Sequence, residues 1–307
     1  MSLLKDALEA GKFGITAEMA PPKGYDFTEQ MEAAELLAGK VHGVNVTDMQ
    51  SASLKATGLG LCIKLKQAGV EPILQMTGRD RNRMALMGDA LAAASFGIDT
   101  MLALTGDHPV VGDCKDAKPV YDLDSVGILK MLSKMEETNC DCGGNEIAGG
   151  APKFYKGASV TPVYEPLFLQ INKLRQKVEA GAMYIQTQGI FDLDTFKRFM
   201  EEVDKAGIKT HIMAGIIPLK AAGMAKYMNE NVPGIDVPQD MIDRLAAAAA
   251  EGKEKGVKGL PMQLGIEMAA EMIAKIKDEK LCDGVHIMAI GAEKNVPTIL
   301  EKAGLSI

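Results

Sequence analysis

Eight short apolar runs, each followed by a longer amphipathic stretch, constrain this chain more than any other feature. The runs are Gly14–Glu18, Gly43–Thr47, Pro72–Met76, Thr100–Leu104, Gly157–Val160, Ala182–Gln186, Lys209–Ala214 and Gly284–Ile290. Their length and β-branched content read as buried strands. The intervening stretches Thr28–Ala38, Ala52–Ala68, Arg79–Phe96, Leu123–Glu137, Pro166–Ala180, Leu193–Ala206 and Leu219–Asn229 read as helices, and Val296–Ala303 follows the last strand. Glycines at 39, 69, 97, 181 and 207 fall at the helix-to-strand turns, where a left-handed residue ends a helix. Repeated strand–helix alternation implies a parallel sheet. Eight units predict an α/β fold closed as a (β/α)8 barrel, a single domain over residues 1–307, with an open doubly wound sheet as the alternative.

Two stretches break the rhythm. Helical segments at Met241–Lys255 and Met262–Lys277 precede the last strand, and predict an extra helix pair packed on the barrel. The Gly-rich stretch Asn139–Lys156 reads as a loop.

Three polar signatures sit where strand runs end: Thr16-Ala17-Glu18-Met19-Ala20-Pro21-Pro22, Leu104-Thr105-Gly106-Asp107-His108-Pro109 and Gln186-Thr187-Gln188-Gly189-Ile190-Phe191-Asp192. In a closed barrel the strand C-termini share one mouth, so distant residues converge there. Two carboxylates and an amide at one mouth point to a catalytic centre.

Composition narrows the function classes. A net charge of −7 argues against a general nucleic-acid binder. No apolar run approaches the ~20 residues of a bilayer span, and the polar, amphipathic Met1–Lys12 does not read as a signal peptide. A cytoplasmic location is the expectation, without membrane or nucleic-acid partners. Five cysteines do not suggest a secreted disulfide framework. Cys140-Asp141-Cys142 has one intervening residue and no second pair, and the four histidines are scattered, so no metal site is expected.

The signatures resemble those of methylenetetrahydrofolate reductases. Ala17-Glu18-Met19-Ala20-Pro21-Pro22 resembles that family's first strand end, and Val44-Asn45-Val46-Thr47 its second strand. Arg79-Asp80-Arg81-Asn82-Arg83 is similar to the start of its third helix, and Leu102–Pro109 to its strand-4 motif. Gly181–Gln188 with Phe191-Asp192 resembles the strand-6 motif, and Gly215-Ile216-Ile217-Pro218 the turn after strand 7. The six motifs run in order along nearly the whole chain. The resemblance implies a flavin-dependent TIM barrel, an oxidoreductase of one-carbon metabolism that reduces 5,10-methylenetetrahydrofolate to 5-methyltetrahydrofolate.

It also implies roles. Glu18 matches the general acid. Opening the imidazolidine ring requires a protonated nitrogen, and a carboxyl among Ile15, Met19 and Ala20 suits that task if buried. A solvated strand-end glutamate is the alternative. Asp107 matches the aspartate facing flavin and pterin, where it is catalytic and substrate-binding by stabilising a cationic iminium; Gly-Asp-His-Pro is also good turn chemistry. Gln188 matches the folate-binding glutamine, whose amide suits the donor–acceptor edge of a pterin. Gln186, two residues earlier on the same strand face, competes with it. Thr47, Asp48, Gln75, Gly106, Asp107, Tyr121, Thr161 and Lys177 match flavin-side positions, with Lys177 either meeting a phosphate or standing as an exposed helix lysine.

Thr105, Gln75, Thr161, Gly189 and Ala292 depart from the common bacterial pattern, two of them replacing arginines. The departures imply a flavin held differently, or FMN in place of FAD; FAD stays the first expectation and FMN the second. They also imply electrons from NAD(P)H or through a small zinc- or iron–sulfur-containing partner subunit, as in the acetogen-type short members. A homo-oligomer is compatible with the sequence. A non-catalytic flavin- or folate-binding scaffold of an electron-transfer complex is the competing function. A barrel aldolase is disfavoured by the absence of a strand-end lysine.

Overall fold

A computed structural model describes residues 2–307. Its eight strands are β1 (Gly14–Met19), β2 (Gly43–Val46), β3 (Pro72–Thr77), β4 (Thr100–Leu104), β5 (Tyr155–Val160), β6 (Tyr184–Gly189), β7 (His211–Ile216) and β8 (Gly284–Ile287). They pair in sequence order, all parallel, and β1 closes on β8. The helices between them are α2 (Thr28–Leu37), α3 (Gly58–Gln67), α4 (Arg83–Ser95), α5 (Ser125–Thr138), α6 (Leu167–Glu179) and α7 (Leu193–Lys205). After β7 come α8 (Ala222–Asn231), α9 (Gln239–Lys255) and α10 (Leu260–Asp278), and α11 (Val296–Lys302) follows β8. The fold is the (β/α)8 barrel that the alternation predicts, and the open sheet is excluded by the β1–β8 ladder.

Two cores separate cleanly. Outward residues such as Ile15, Ala17, Val44, Val46, Leu74, Met76, Ile185 and Val285 pack against the helix layer. Alternate residues point inward, as the two-residue strand period requires. Toward the strand starts the interior is apolar: Ile73, Leu102, Tyr155, Tyr184 and Met213 cluster with Leu4 and Leu8. Those two leucines come from α1 (Leu3–Glu9), a helix that the polar reading of Met1–Lys12 does not anticipate. Ser2 caps α1 by accepting from the Lys5 N–H, and its hydroxyl also accepts from Thr100 at the start of β4 at 2.7 Å. The helix therefore plugs the N-terminal end of the barrel.

Three helices lie between β7 and β8, where the sequence places a regular helix and an extra pair. Packing decides which is regular. Ile266, Ala269, Ala270, Ile273 and Ile276 of α10 join the main core, whereas Ala225 and Met228 of α8 and Ile242 and Leu245 of α9 form a separate cluster. Thus α10 occupies the ring position, and α8–α9 is the added pair, one helix earlier than the amphipathic pattern suggests.

Several helix starts also come later than expected. The helix expected from Arg79 begins at Arg83, because Asn82 takes the cap position and accepts from the Ala85 N–H at 3.1 Å. Among the described residues, no helix is long and apolar enough to cross a membrane.

The α1 plug gives a test. Leu8→Ala removes a side chain that is 2% exposed. It is expected to cost about 2–5 kcal/mol, read as a lower urea midpoint with an unchanged m-value.

Candidate functional site at the barrel mouth

Above the apolar plug, the interior turns polar. Asn45 on β2 and Gln186 on β6 form a reciprocal amide pair: Asn45 Nδ2 donates to Gln186 Oε1 at 2.7 Å, and Gln186 Nε2 donates to Asn45 Oδ1 at 3.1 Å. Gln186 Nε2 also donates to Thr16 Oγ1 at 3.2 Å, and Thr16 Oγ1 lies 3.0 Å from His286 Nδ1. His286 Nε2 is 3.6 Å from Glu18 Oε2, within ion-pair range but beyond hydrogen-bond length. Gln75 Nε2 donates to the same oxygen at 3.3 Å. Asn45, Gln186 and Thr16 are buried, whereas the Glu18 side chain keeps 22% of its surface. A continuous polar line thus runs from the middle of the barrel to a carboxylate at the mouth.

This line separates the two glutamines. Gln186 is consumed within the barrel. Gln188, one pleat higher, is half-buried; its Oε1 accepts from the Gly189 N–H at 3.0 Å, and its Nε2 has no partner among the described residues. A larger residue than Gly189 would require its isoleucine neighbours to shift. A Cβ there would meet Ile217 Cδ1 at 2.5 Å, with Ile235 Cδ1 at 3.2 Å.

Across the mouth, Gly106 has φ +87°, and a Cβ on it would crowd Arg79 and Thr77 at 3.1 and 3.2 Å. The positive φ favours glycine, and a side chain there would also make Arg79 and Thr77 give way. Its carbonyl accepts from the Tyr121 hydroxyl at 3.2 Å. Asp107 beside it is exposed, and among the described residues nothing donates to its carboxylate. Thr105 accepts from the Ser125 N–H at 3.2 Å, at the start of α5.

Arginines of the β3 loop tie this rim together. Arg79, whose side chain is 2% exposed, pairs with Asp80 at 2.7 Å and donates to the carbonyls of Met49 and Asp107 at 3.0 and 3.3 Å. It therefore clamps the loops after β2, β3 and β4. In the β2 loop, Met49, Ser51 and Ala52 all have positive φ, 49°, 54° and 52°. Left-handed non-glycine residues are strained and tend to cluster at ligand clamps. A cleft of about 170 Å³ opens beside them, lined in part by Met49, Leu54, Arg79, Pro109 and Cys114.

Not every expected flavin-side residue is free. The buried Asp48 carboxylate accepts from both Arg81 nitrogens at 2.6 and 3.1 Å, and from the Thr77 N–H and hydroxyl at 3.0 and 2.8 Å. Thr47 donates to Gln50 at 2.7 Å. Lys177 is neither exposed nor free for a phosphate: it is buried on α6, and Nζ donates to the Ser159 carbonyl of β5 at 2.5 Å. Burial, reinforced by Lys173 and opposed by Asp124, pushes it down to about 8. Gln75, Gly106, Asp107, Tyr121 and Thr161 remain around the opening. They fit a flat, donor- and acceptor-bearing ring such as a flavin's better than its phosphate, since both rim arginines are already paired. Among the described residues, no group of three His, Cys, Asp or Glu is arranged to hold a metal.

Asn45 and His286 carry more of this site than their sequence context suggests. The signal was present: a polar residue at an inward position between two outward apolar ones, as in Val44-Asn45-Val46 and Val285-His286-Ile287.

Comparison with known proteins identifies relatives. The family profile described as methylenetetrahydrofolate reductase matches residues 3–304. A probable methylenetetrahydrofolate reductase (NADPH) of Caenorhabditis elegans is 25% identical, over 83% of this chain and 34% of that protein. The 5,10-methylenetetrahydrofolate reductase of Pectobacterium carotovorum subsp. carotovorum is 26% identical, over 68% of this chain and 65% of that protein. The chain spans between about a third and about two thirds of the length of these curated relatives. An uncharacterized protein from Clostridium thermocellum, described as binding two copies of 5-methyl-5,6,7,8-tetrahydrofolic acid, shares the fold. Its TM-score is 0.64 at 13% identity, covering 98% of this chain and 100% of that one.

Two tests follow from the committed side chains. Asp48→Ala leaves Arg81 with Asp89 alone and removes the acceptor of the Thr77 N–H and hydroxyl; it should cost about 1–3 kcal/mol, measured by denaturant unfolding. Lys177 binds its proton less tightly when folded, so between about pH 8 and its unfolded value the unfolded chain holds more protons. Stability should therefore rise with pH across that window, with the penalty fully present below about 8. Lys177→Met should flatten this rise relative to the parent in urea titrations at pH 7.5 and 9.5.

Proposed function

Because the chain belongs to the methylenetetrahydrofolate reductase family, we propose that it reduces 5,10-methylenetetrahydrofolate to 5-methyltetrahydrofolate at the mouth of its barrel. One observation carries this reading. Glu18 and Gln188 lie one residue before the ends of β1 and β6, and Asp107 three residues past β4, toward the same end of one closed barrel, and each retains accessible surface.

Their chemistry divides the work. Glu18 gives its proton to a ring nitrogen of the substrate, which opens the imidazolidine to a cationic iminium. The Asp107 carboxylate, which accepts no hydrogen bond among the described residues, stabilises that positive charge. The Gln188 amide reads the donor–acceptor edge of the pterin with its uncommitted nitrogen. When bound, a flavin supplies the hydride; FAD is favoured over FMN, with NAD(P)H or a small partner subunit as the electron source. Gly106, Asp107 and Tyr121 would hold the flavin ring, with Gln75 and Thr161 at its margin. Asp48, Thr47 and Lys177 act at one remove, by fixing the loops and strand ends that carry those residues.

Glu18→Gln tests the reading. It should lower folate turnover by about 10²–10⁴-fold while flavin reduction stays near the parent rate, measured as separate half-reactions. Parent-level folate turnover in this variant would remove the acid assignment. A flavin that the parent binds but methylenetetrahydrofolate never reoxidises would point instead to the non-catalytic scaffold.

A further inference from the structure

Gln188 and Glu18 stand on opposite flanks of β7 and β8. The strands pair in sequence order around the ring, so the short way from β6 to β1 crosses those two strand ends. The candidates for the flavin ring sit instead at the ends of β3, β4 and β5. A ligand that meets both Gln188 and Glu18 therefore lies along the β7–β8 side of the mouth.

Two observations mark that side as a place that holds something. The first is strained backbone. Ile290, three residues past β8, has φ +48°, and Gly291 has φ +72°. A β-branched residue in the left-handed region is an outlier, and such residues gather at ligand clamps. Ile290 is also 46% exposed, so an apolar side chain stands in the open at the rim. The second is charge. Lys220, four residues past β7, reaches across and donates from Nζ to the Ile290 carbonyl. Across the ring, Arg79, Arg81 and Arg83 each face a carboxylate. Lys220 forms no ion pair among the described residues, and its other two ammonium protons are uncommitted. Glu293, in the same β8 loop, is turned to the Gly291 N–H at 2.8 Å. Ala292, which departs from an arginine, is buried and brings no charge.

We propose that Lys220 binds the carboxylate of the substrate's glutamate tail, with Ile290 as the apolar shelf under the benzoyl ring that carries it. The inference rests on the folate reading of this mouth. The order of groups along the rim matches the order along such a ligand: an amide and a carboxyl for the pterin, an apolar surface for the ring, a cation for the tail. Lys220 touches no reacting atom. Its bond to the Ile290 carbonyl fixes the ammonium before the ligand arrives, and a charge-assisted hydrogen bond then adds to affinity and orientation.

The test titrates the purified protein with two ligands by calorimetry: 5-methyltetrahydrofolate, and the same compound with both glutamate carboxylates converted to amides. The parent should bind the acid about 10-fold tighter than the diamide, and the difference should shrink as salt is raised. Lys220→Met should bind the two alike, with a diamide Kd close to the parent's, and Lys220→Arg should keep most of the preference. Lys294→Met, at an exposed position of the β8 loop, is the control and should keep it too. Should Lys220→Met fail to fold, Lys220→Gln, which keeps a donor for the Ile290 carbonyl without the charge, gives the same readout. Equal binding of acid and diamide by the parent overturns the inference, as does a parent-like preference in the uncharged Lys220 variants. Failure of the folate reading shows differently, as a parent with no affinity for either ligand, and it takes the tail contact with it.

Discussion

The reciprocal amide pair between Asn45 and Gln186 is the constraint on which the interior depends. It joins β2 to β6, strands on opposite sides of an eight-stranded ring, with both carbonyls and three of the four amide protons engaged. A buried amide is stabilising only when its partners are all present. Here the two residues supply each other, and Thr16 takes the surplus. The pair therefore fixes the width of the barrel where it changes from an apolar plug to a polar mouth. It also sets the height at which Glu18 and Gln188 emerge, one pleat above Thr16 and Gln186.

The rim solves a different problem. Loops after β2, β3 and β4 must stand close together without regular hydrogen bonding. Arg79 supplies the missing donors to two of their carbonyls, and Arg81 anchors Asp48 beneath. This cross-bracing adjoins three departures into left-handed backbone within four residues, at Met49, Ser51 and Ala52. The site thus combines a rigid interior with one strained, braced edge, and the cleft opens at that edge.

Much of this was legible in the sequence because it is local. Strand runs, turn glycines and the Asp192 cap follow from short-range pattern, and the observed strands fall within two residues of the expected starts. What the sequence hid is set by tertiary closure. The α1 helix carries Lys5, Asp6 and Glu9, so it reads as polar, and only the open barrel end gives Leu4 and Leu8 something to fill. The added helix pair was visible, but which helix lies in the ring depends on whose apolar face meets the barrel. The choice between Gln186 and Gln188 depended on depth, which two positions on one strand face cannot declare. The motif resemblance favoured Gln188; in the barrel Gln186 is already paired, while the Gln188 amide nitrogen has no partner among the described residues. Lys177 escaped both readings, since nothing in its helix context reveals that its amine turns inward to a strand carbonyl.

The plug at the strand starts has a consequence for traffic. With Leu4, Leu8, Tyr155 and Tyr184 filling one end, the barrel is a blind vessel with one opening. Any visitor therefore comes and goes through the rim where the strands end, past the braced loop after β2.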